Sequence, residues 1–380
     1  MKNRNAALIY DSFGPYHYDR LEEVARRLSA ENIKLYAIEF SGYDGTYKWE
    51  KKTGLNYELV TLFEQPFPKT TAISRFLKLF KFLISHDCDV VFHCGYQRID
   101  SIFLSIFLRI FKRRIYTLID SKYDDKPRYI WKELTKYFFL LPYNGALVSG
   151  VRTAEYMRLY GFDESCIFFG HNSLSLERVR TLAGKNGEIT KFEDRNFVVV
   201  ARFVKKKNYD FIIDVYAAYR KMVGAPPRSL HLYGDGPEMD RIVQRVKDEE
   251  IPGVHFHGWA SSETIAQAMG QSLCLLLLSK EEQWGNVVNE AIAVGLPAIC
   301  TRNVGATDHL VKTFVNGFIV EADNVAGTAY AMYAISTNEA LYSTLVQGCK
   351  SLEESADAPM YGKAVVNAIH LDPQNGTSWW

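Results

Sequence analysis

The sequence predicts an α/β protein made of two Rossmann-like, doubly wound domains facing each other across a cleft, and three observations carry that expectation. A chain of 380 residues exceeds what one hydrophobic core usually holds. Short apolar runs alternate with amphipathic stretches over most of the length, the pattern of parallel strands joined by crossover helices. That alternation occurs twice, in two series of similar size separated by a polar, charged segment.

In the first series "AALIYDS" (6–12) reads as the opening strand, followed by a loop and the helix "YDRLEEVARRLSAE". Strands continue at 33–40, 89–95, 114–120 and 145–150. Helical periodicity fills the gaps at 74–85, 100–113, 128–139 and 151–161. The second series has strands at 196–203, 229–236, 254–259, 273–279, 297–301 and 317–321. The expected division is a first domain over 1–175 and a second over 176–355, joined by a linker at about 175–194. A tail helix within 356–380 is expected to pack back on the first domain. No repeat of 20 to 50 residues and no low-complexity segment interrupts this plan.

Composition narrows the function. Hydrophobic residues make up 47% and charged ones 23%, with 23 Tyr and 23 Phe, the profile of a folded globular chain. A net charge of +1 argues against a dedicated nucleic-acid binder, which needs a strongly basic domain. The six cysteines are scattered without a C-x-x-C pair, so buried reduced thiols are expected in place of a zinc site or disulfide framework. "MKNRNAALIYDSF" is broken by Asp11 and reads as a strand, not a signal peptide, and no apolar run approaches 18 residues. The expected location is the cytoplasm, with the inner face of the cytoplasmic membrane as an open alternative.

In open α/β sheets ligands bind beyond the carboxyl ends of the strands, so the loops leaving the strands of the second series are where chemistry is sought. "ARFVKKKNYD" puts Arg202 at one such end and Lys207 at the start of the next helix, a cationic cradle for a diphosphate or a solvated basic loop. "YGDGPEMD" lacks the third glycine of a dinucleotide fingerprint; it is a tight turn in which Gly234 and Gly236 permit close backbone approach. "EEQWGNVVNEAIAVGLP" places Glu282 and Glu290 with seven residues between them, around Gly285 and the start of a helix. The first amides of that helix, from Asn286 to Val288, suit phosphate oxygens, and Glu290 one turn inside suits two vicinal hydroxyls. Favourable interaction with the helix dipole is the plain alternative for both carboxylates.

Together "VARFVKKKNYDFIIDVYAAY", "LHLYGDGPEMD", "VHFHGWAS" and "EEQWGNVVNEAIAVGLPAIC" resemble the nucleotide-binding half of retaining glycosyltransferases of family 4, which have the GT-B fold. The resemblance spans about 196–321 and extends more loosely to "GPYHYDRLEEVARRL" and "IDSKYDDKPRYIWKELTK". It implies an acceptor-binding first domain and a second domain that binds a UDP- or GDP-linked sugar, with transfer that retains anomeric configuration and needs neither metal nor cofactor. Arg202 and Lys207 would then bind the diphosphate, Glu290 the ribose, and Glu282 with the Gly285 to Val287 backbone the donor sugar. Gly14, Gly234, Gly236, Trp284, Asn286 and the "HGW" group His257, Gly258 and Trp259 complete the implied donor contacts.

Members of this family often carry His-Asp where "IYTLIDSK" has Ile119 before Asp120, so the customary acceptor-side histidine is missing. Asp120, His17 and His93 are the candidates to replace it, each also readable as a polar residue near a strand end. With Glu282, Asp120 and His17 form the expected catalytic set. Asp87-Cys88-Asp89 precedes a strand and is expected at the wrong end of the sheet for catalysis.

The expected partners are a nucleotide sugar and a glycan or lipid-linked acceptor of a bacterial surface polysaccharide. Helices 74–85 and 100–113 mix aromatic and aliphatic residues with Lys and Arg; they read either as ordinary covering helices or as a peripheral membrane contact. Trp379-Trp380 reads as an interfacial anchor or a frayed end. Two further functional readings stay open: a GT-B-type epimerase, and a nucleotide-sugar-binding module without turnover.

Overall fold

Two parallel sheets, each flanked by helices on both faces, account for the two series of alternating elements. A computed structural model describes residues 5–42, 56–184, 190–224 and 226–371. The chain divides into one unit of Met1–Leu174 with Ala358–Trp380 and a second of Ser175–Asp357.

The first unit runs β1 (Asn5–Tyr10), α1 (Pro15–Ala30), β2 (Lys34–Ser41), β3 (Glu58–Phe63), α2 (Ala72–Ser85), β4 (Cys88–Cys94), α3 (Ile99–Ile110), β5 (Arg114–Ile119), α4 (Ile130–Leu140), β6 (Gly145–Val148), α5 (Val151–Leu159) and β7 (Ile167–Phe169). Its seven strands are ordered β3-β2-β1-β4-β5-β6-β7, and every neighbouring pair is parallel. Successive residues of β1 serve opposite faces: Ala6 and Leu8 pack with Leu21, Val24 and Leu28 of α1, while Ala7 and Ile9 pack with residues of α2 to α5. Strands buried on both faces read as unbroken apolar runs, which is why β1 and β4 to β6 stand out in the sequence.

The second unit runs α6 (Leu176–Gly184), β8 (Phe197–Val200), α7 (Tyr209–Met222), β9 (Leu230–Tyr233), α8 (Met239–Asp248), β10 (Val254–Gly258), α9 (Ser262–Gly270), β11 (Cys274–Leu277), α10 (Asn286–Ala293), β12 (Ala298–Thr301), α11 (Thr307–Leu310), β13 (Gly317–Val320), α12 (Val325–Thr337), α13 (Glu339–Lys350) and α14 (Glu353–Ala356). Its sheet is ordered β10-β9-β8-β11-β12-β13, again parallel throughout. The order reverses between β8 and β11, so loops leaving these two neighbours diverge and open a crevice.

The stretch expected as a linker is largely structured instead. Its α6 buries Leu176 and Val179 and packs on α9 and α10, because its apolar residues recur at helical spacing despite the polar composition. Residues 185–189 of that stretch, and Trp379-Trp380, lie outside the described residues. The final helix, α15 (Ala358–His370), belongs to the first unit and packs on α1. Gly362 makes that approach possible, since a Cβ there would sit 2.8 Å from Glu23 Cγ. Buried between the two helices and the sheet, the Tyr10 and Tyr361 hydroxyls are 2.9 Å apart. All six cysteines are free, five of them buried. No described helix is long and apolar enough to cross a membrane.

Candidate functional site

The loop leaving β8 folds over an aromatic pair. Phe203 is buried and stacks on Tyr209, with ring centroids 3.9 Å apart and planes within 9°, and the Tyr209 hydroxyl donates to the Ala201 carbonyl at 2.7 Å. Lys205–Lys207 form one tight helical turn, and Asn208, at φ 61°, reverses the chain into α7. Asn tolerates this left-handed conformation better than most residues. Arg202 stands exposed at the end of β8, while the Lys207 side chain is turned inward.

The loop leaving β11 meets that turn. Lys280 N donates to Lys206 O at 2.8 Å, and Lys207 Nζ pairs directly with the Glu282 carboxylate. A second clamp comes from the loop after β12: Gly305 N donates to Glu282 O at 3.1 Å, and Ala306 N to Trp284 O at 3.0 Å. Gly285, at φ 104°, then turns the chain into α10. Val288 N closes back on Gly285 O at 2.9 Å, leaving the amides of Asn286 and Val287 at the head of the helix. Asn286 Oδ1 is buried with no hydrogen-bond partner, and Glu290 is half-buried one turn further on. A lysine, an arginine, a helix N-terminus and two carboxylates thus gather where the strand order reverses.

Gly234 and Gly236 serve a different purpose from the one expected. Their φ values are 137° and 154°, and a Cβ would meet Ala201 O at 2.0 Å and Phe203 O at 2.5 Å. The close approach they make is to the loop after β8. Phe203 N accordingly donates to Asp235 O at 2.9 Å, and Gly234 N to Gly258 O at 2.8 Å, which ties three strand ends together. Of the "HGW" group, Gly258 has open space at its Cβ position, Trp259 is exposed, and the His257 ring stacks on Tyr233 at 4.2 Å. His257 Nε2 also lies 2.9 Å from His231 Nδ1. Burial, then the neighbouring His255, holds the His257 pKa below its ordinary value.

Trp284 requires a correction. Its indole is buried, donating from Nε1 to Asn289 Oδ1 at 3.0 Å, while Asn289 Nδ2 donates to Ala356 O at 3.0 Å. The ring anchors the loop from within. A pocket of about 440 Å³ also opens beside Lys205, Asn208 and Lys280. Its Asp210 and Glu238 are already engaged by Arg241, which makes it a poor diphosphate cradle.

In the first unit, His17 caps α1: its Nδ1 accepts from Gly14 N at 2.9 Å. Burial, with Arg20 and His171 nearby, drives its pKa well below the ordinary value. A neutral imidazole accepting at Nδ1 carries its proton on Nε2, so His17 is suited to donate a hydrogen bond rather than take a proton. Asp120 follows β5 directly and is partly exposed; Ile119 before it is buried in the core. His93 is fully buried edge-on to Phe40, and burial pushes its pKa down to about 3. That burial removes it from the candidates for an acceptor-side histidine. Asp87 and Asp89 sit at the start of β4, both paired with Arg113.

Sequence reasoning missed Gly305, Asn208 and Asn289. A Cβ on Gly305 would fall 1.7 Å from Gln283 O, so the clamp on the Glu282 loop depends on it. The glycine in "NVGATD" was the available signal; what it approaches lies in another loop and leaves no local trace.

Residues 185–351 match the sequence model of the family described as "Glycosyl transferases group 1". The chain is 28% identical over 188 residues to N-acetyl-alpha-D-glucosaminyl L-malate synthase of Bacillus anthracis, covering 49% of this chain and 46% of that protein. It is also 28% identical over 149 residues to the lipopolysaccharide core biosynthesis glycosyltransferase LpsE of Rhizobium meliloti, covering 39% and 41%. The match therefore spans about half the length of these relatives. Among solved structures, Anabaena HepE in complex with UDP superposes with a TM-score of 0.72 at 14% identity, covering 96% of this chain and 99% of that one. The apo lipopolysaccharide outer core galactosyltransferase WaaB gives 0.69 at 16% identity, covering 96% and 99%. The second unit thus carries the similarity to group 1 glycosyl transferases, in a chain with the GT-B fold.

Proposed function

We propose that the chain transfers a hexose from a UDP- or GDP-linked donor to a glycan or lipid-linked acceptor of a surface polysaccharide, with retention and without a metal ion. The observation that carries this reading is the meeting of Lys207, Glu282 and the α10 N-terminus at the reversal in strand order. Departure of a nucleoside diphosphate concentrates negative charge on its phosphate oxygens. Arg202, Lys207 and the amides of Asn286 and Val287 would lower the barrier by holding fixed positive charge there. Glu290 is assigned to the ribose hydroxyls and Glu282 to hydroxyls of the donor sugar. The acceptor proton passes to a donor phosphate oxygen. On the acceptor side, Asp120 and the Nε2 proton of His17 are assigned to orient hydroxyls. The HepE structures containing UDP and UDP-glucose support a nucleotide-sugar donor.

A binding module without turnover is the second reading, favoured by the burial of Ile119, which leaves no imidazole at the end of β5. Thermal melting across a panel of nucleoside diphosphates, followed by a nucleotide-release assay with a cell extract as acceptor source, separates the two. Transfer predicts a raised melting temperature and acceptor-dependent release of UDP or GDP. Stabilisation without release would leave only the binding module, and stabilisation by neither nucleotide would contradict both.

A further inference from the structure

The two strands at one edge of the second sheet carry three histidines on a single face. His231 of β9 pairs in register with His255 of β10, and His257 lies two residues beyond His255. Alternation along the strands therefore puts all three imidazoles on one side of the ladder. The other side is apolar: Leu230 and Leu232 are buried in the core, with Val254 and Phe256 packed against it. His255 and His257 are exposed, and His231 is half-buried.

Two of the rings are aimed at each other. His231 Nδ1 and His257 Nε2 lie 2.9 Å apart, with ring planes within 12°. His255 stacks on His231 with centroids 4.8 Å apart, and Tyr233 stacks on His257 at 4.2 Å, so each ring of the facing pair is backed by a neighbour. Burial first, and the neighbouring imidazoles second, hold His231 at a pKa of about 4 and His257 below its ordinary value. No carboxylate is among the groups acting on either ring.

A facing pair of neutral imidazoles can act as a chelate. In the free protein one of the two nitrogens donates its proton to the other. When an ion enters, that proton moves to the second nitrogen of its own ring; both lone pairs then face the ion and no net proton is released. Two imidazoles bound to one tetrahedral ion at about 2.1 Å stand about 3.4 Å apart, so the pair need open by only about 0.5 Å. Side chains on the outer face of an edge strand have room for that. Nitrogen donors without a carboxylate suit zinc, nickel or copper and not magnesium or calcium, which take oxygen ligands. Among the described residues no three such side chains form a ligand set, so the protein supplies two nitrogens and water fills the remaining positions.

We propose that His231 and His257 chelate one divalent transition-metal ion, cross-linking β9 to β10 beside Gly258. The inference uses neither Lys207, Glu282 nor the α10 N-terminus, so its failure would leave the nucleotide-binding reading standing. The test is calorimetric titration of the chelator-treated full chain with Zn²⁺ and with Mg²⁺. One Zn²⁺ is expected to bind, and no Mg²⁺. His231→Ala and His257→Ala should each weaken Zn²⁺ binding by at least about tenfold, because losing one ligand turns a chelate into a single contact; His255→Ala should not. Metal-free melting curves check that the variants fold. Electron paramagnetic resonance of the Cu²⁺-loaded chain should show two imidazole nitrogens, and one in His257→Ala. No Zn²⁺ binding, affinity unchanged in both ligand variants, or an equal loss in His255→Ala would overturn the proposal.

Discussion

Lys207 and Glu282 form an ion pair across the reversal in strand order of the second sheet, with side chains only 15% and 14% exposed. Each neutralises the other in a partly desolvated place, and a diphosphate arriving at Lys207 must share that cation or replace its partner. Removing the lysine and neutralising the glutamate should therefore have different consequences. Lys207→Ala is expected to weaken UDP or GDP binding by about 10- to 100-fold, the range of a lost charge-assisted hydrogen bond. Glu282→Gln should leave nucleotide affinity unchanged or improved while lowering sugar transfer by about tenfold or more. Calorimetric titration of both variants, alongside turnover, reads the difference; equal loss of affinity in both would show that the pair acts only as structure.

Asn286 gives a second split. Its Oδ1 is buried without a partner, a condition that costs about 1–3 kcal/mol. Asn286→Val should leave stability unchanged or slightly higher. If that oxygen accepts from the donor sugar, the same variant raises KM for the sugar nucleotide several-fold and leaves the Kd for the bare nucleoside diphosphate alone. A melting curve and a KM against Kd comparison check it.

Gly305 ties the Glu282 loop to the loop after β12, and no Cβ fits beside Gln283 O. Gly305→Ala is expected to cost about 1–3 kcal/mol, lowering the melting temperature by about 5 °C. Nucleotide affinity should fall with it, because the loop carrying Glu282 must move.

His93 sets an acid limit on the first unit. In the fold it is buried among Phe40, Arg98, Asp100 and Thr117, with its pKa near 3, whereas an unfolded histidine titrates near 6.5. The unfolded chain thus binds this proton first as pH falls. Its contribution to stability is full above about pH 6.5 and is lost progressively towards pH 3. Between pH 7.5 and 4.5 the loss should reach about 2–3 kcal/mol. Urea denaturation at the two pH values should show a smaller loss in His93→Gln; an identical acid slope in both proteins would contradict the assignment.

What the sequence reveals depends on how local each cause is. The strands from β8 to β13 appear in the sequence within a few residues of where they lie; β8, β11 and β12 are buried apolar runs, and turns bound the others. Short β7 and the half-exposed edge strand β3 were missed, since three residues or a partly solvated run carry little periodic signal. The linker expected at about 175–194 follows from polar composition, whereas Leu176 and Val179 mark the buried face of α6. At the candidate site, Arg202, Lys207, Glu282 and Gly285 were legible from spacing against the strands. The burial of Trp284 and the need for Gly305 were not, because both arise from contacts with distant loops.

The most direct test of the central claim is a structure of the chain with UDP or GDP bound. The account predicts the diphosphate between Arg202, Lys207 and the amides of Asn286 and Val287, with the contact between Lys207 and Glu282 opened or shared. A nucleotide seated elsewhere, with that ion pair undisturbed, would contradict it.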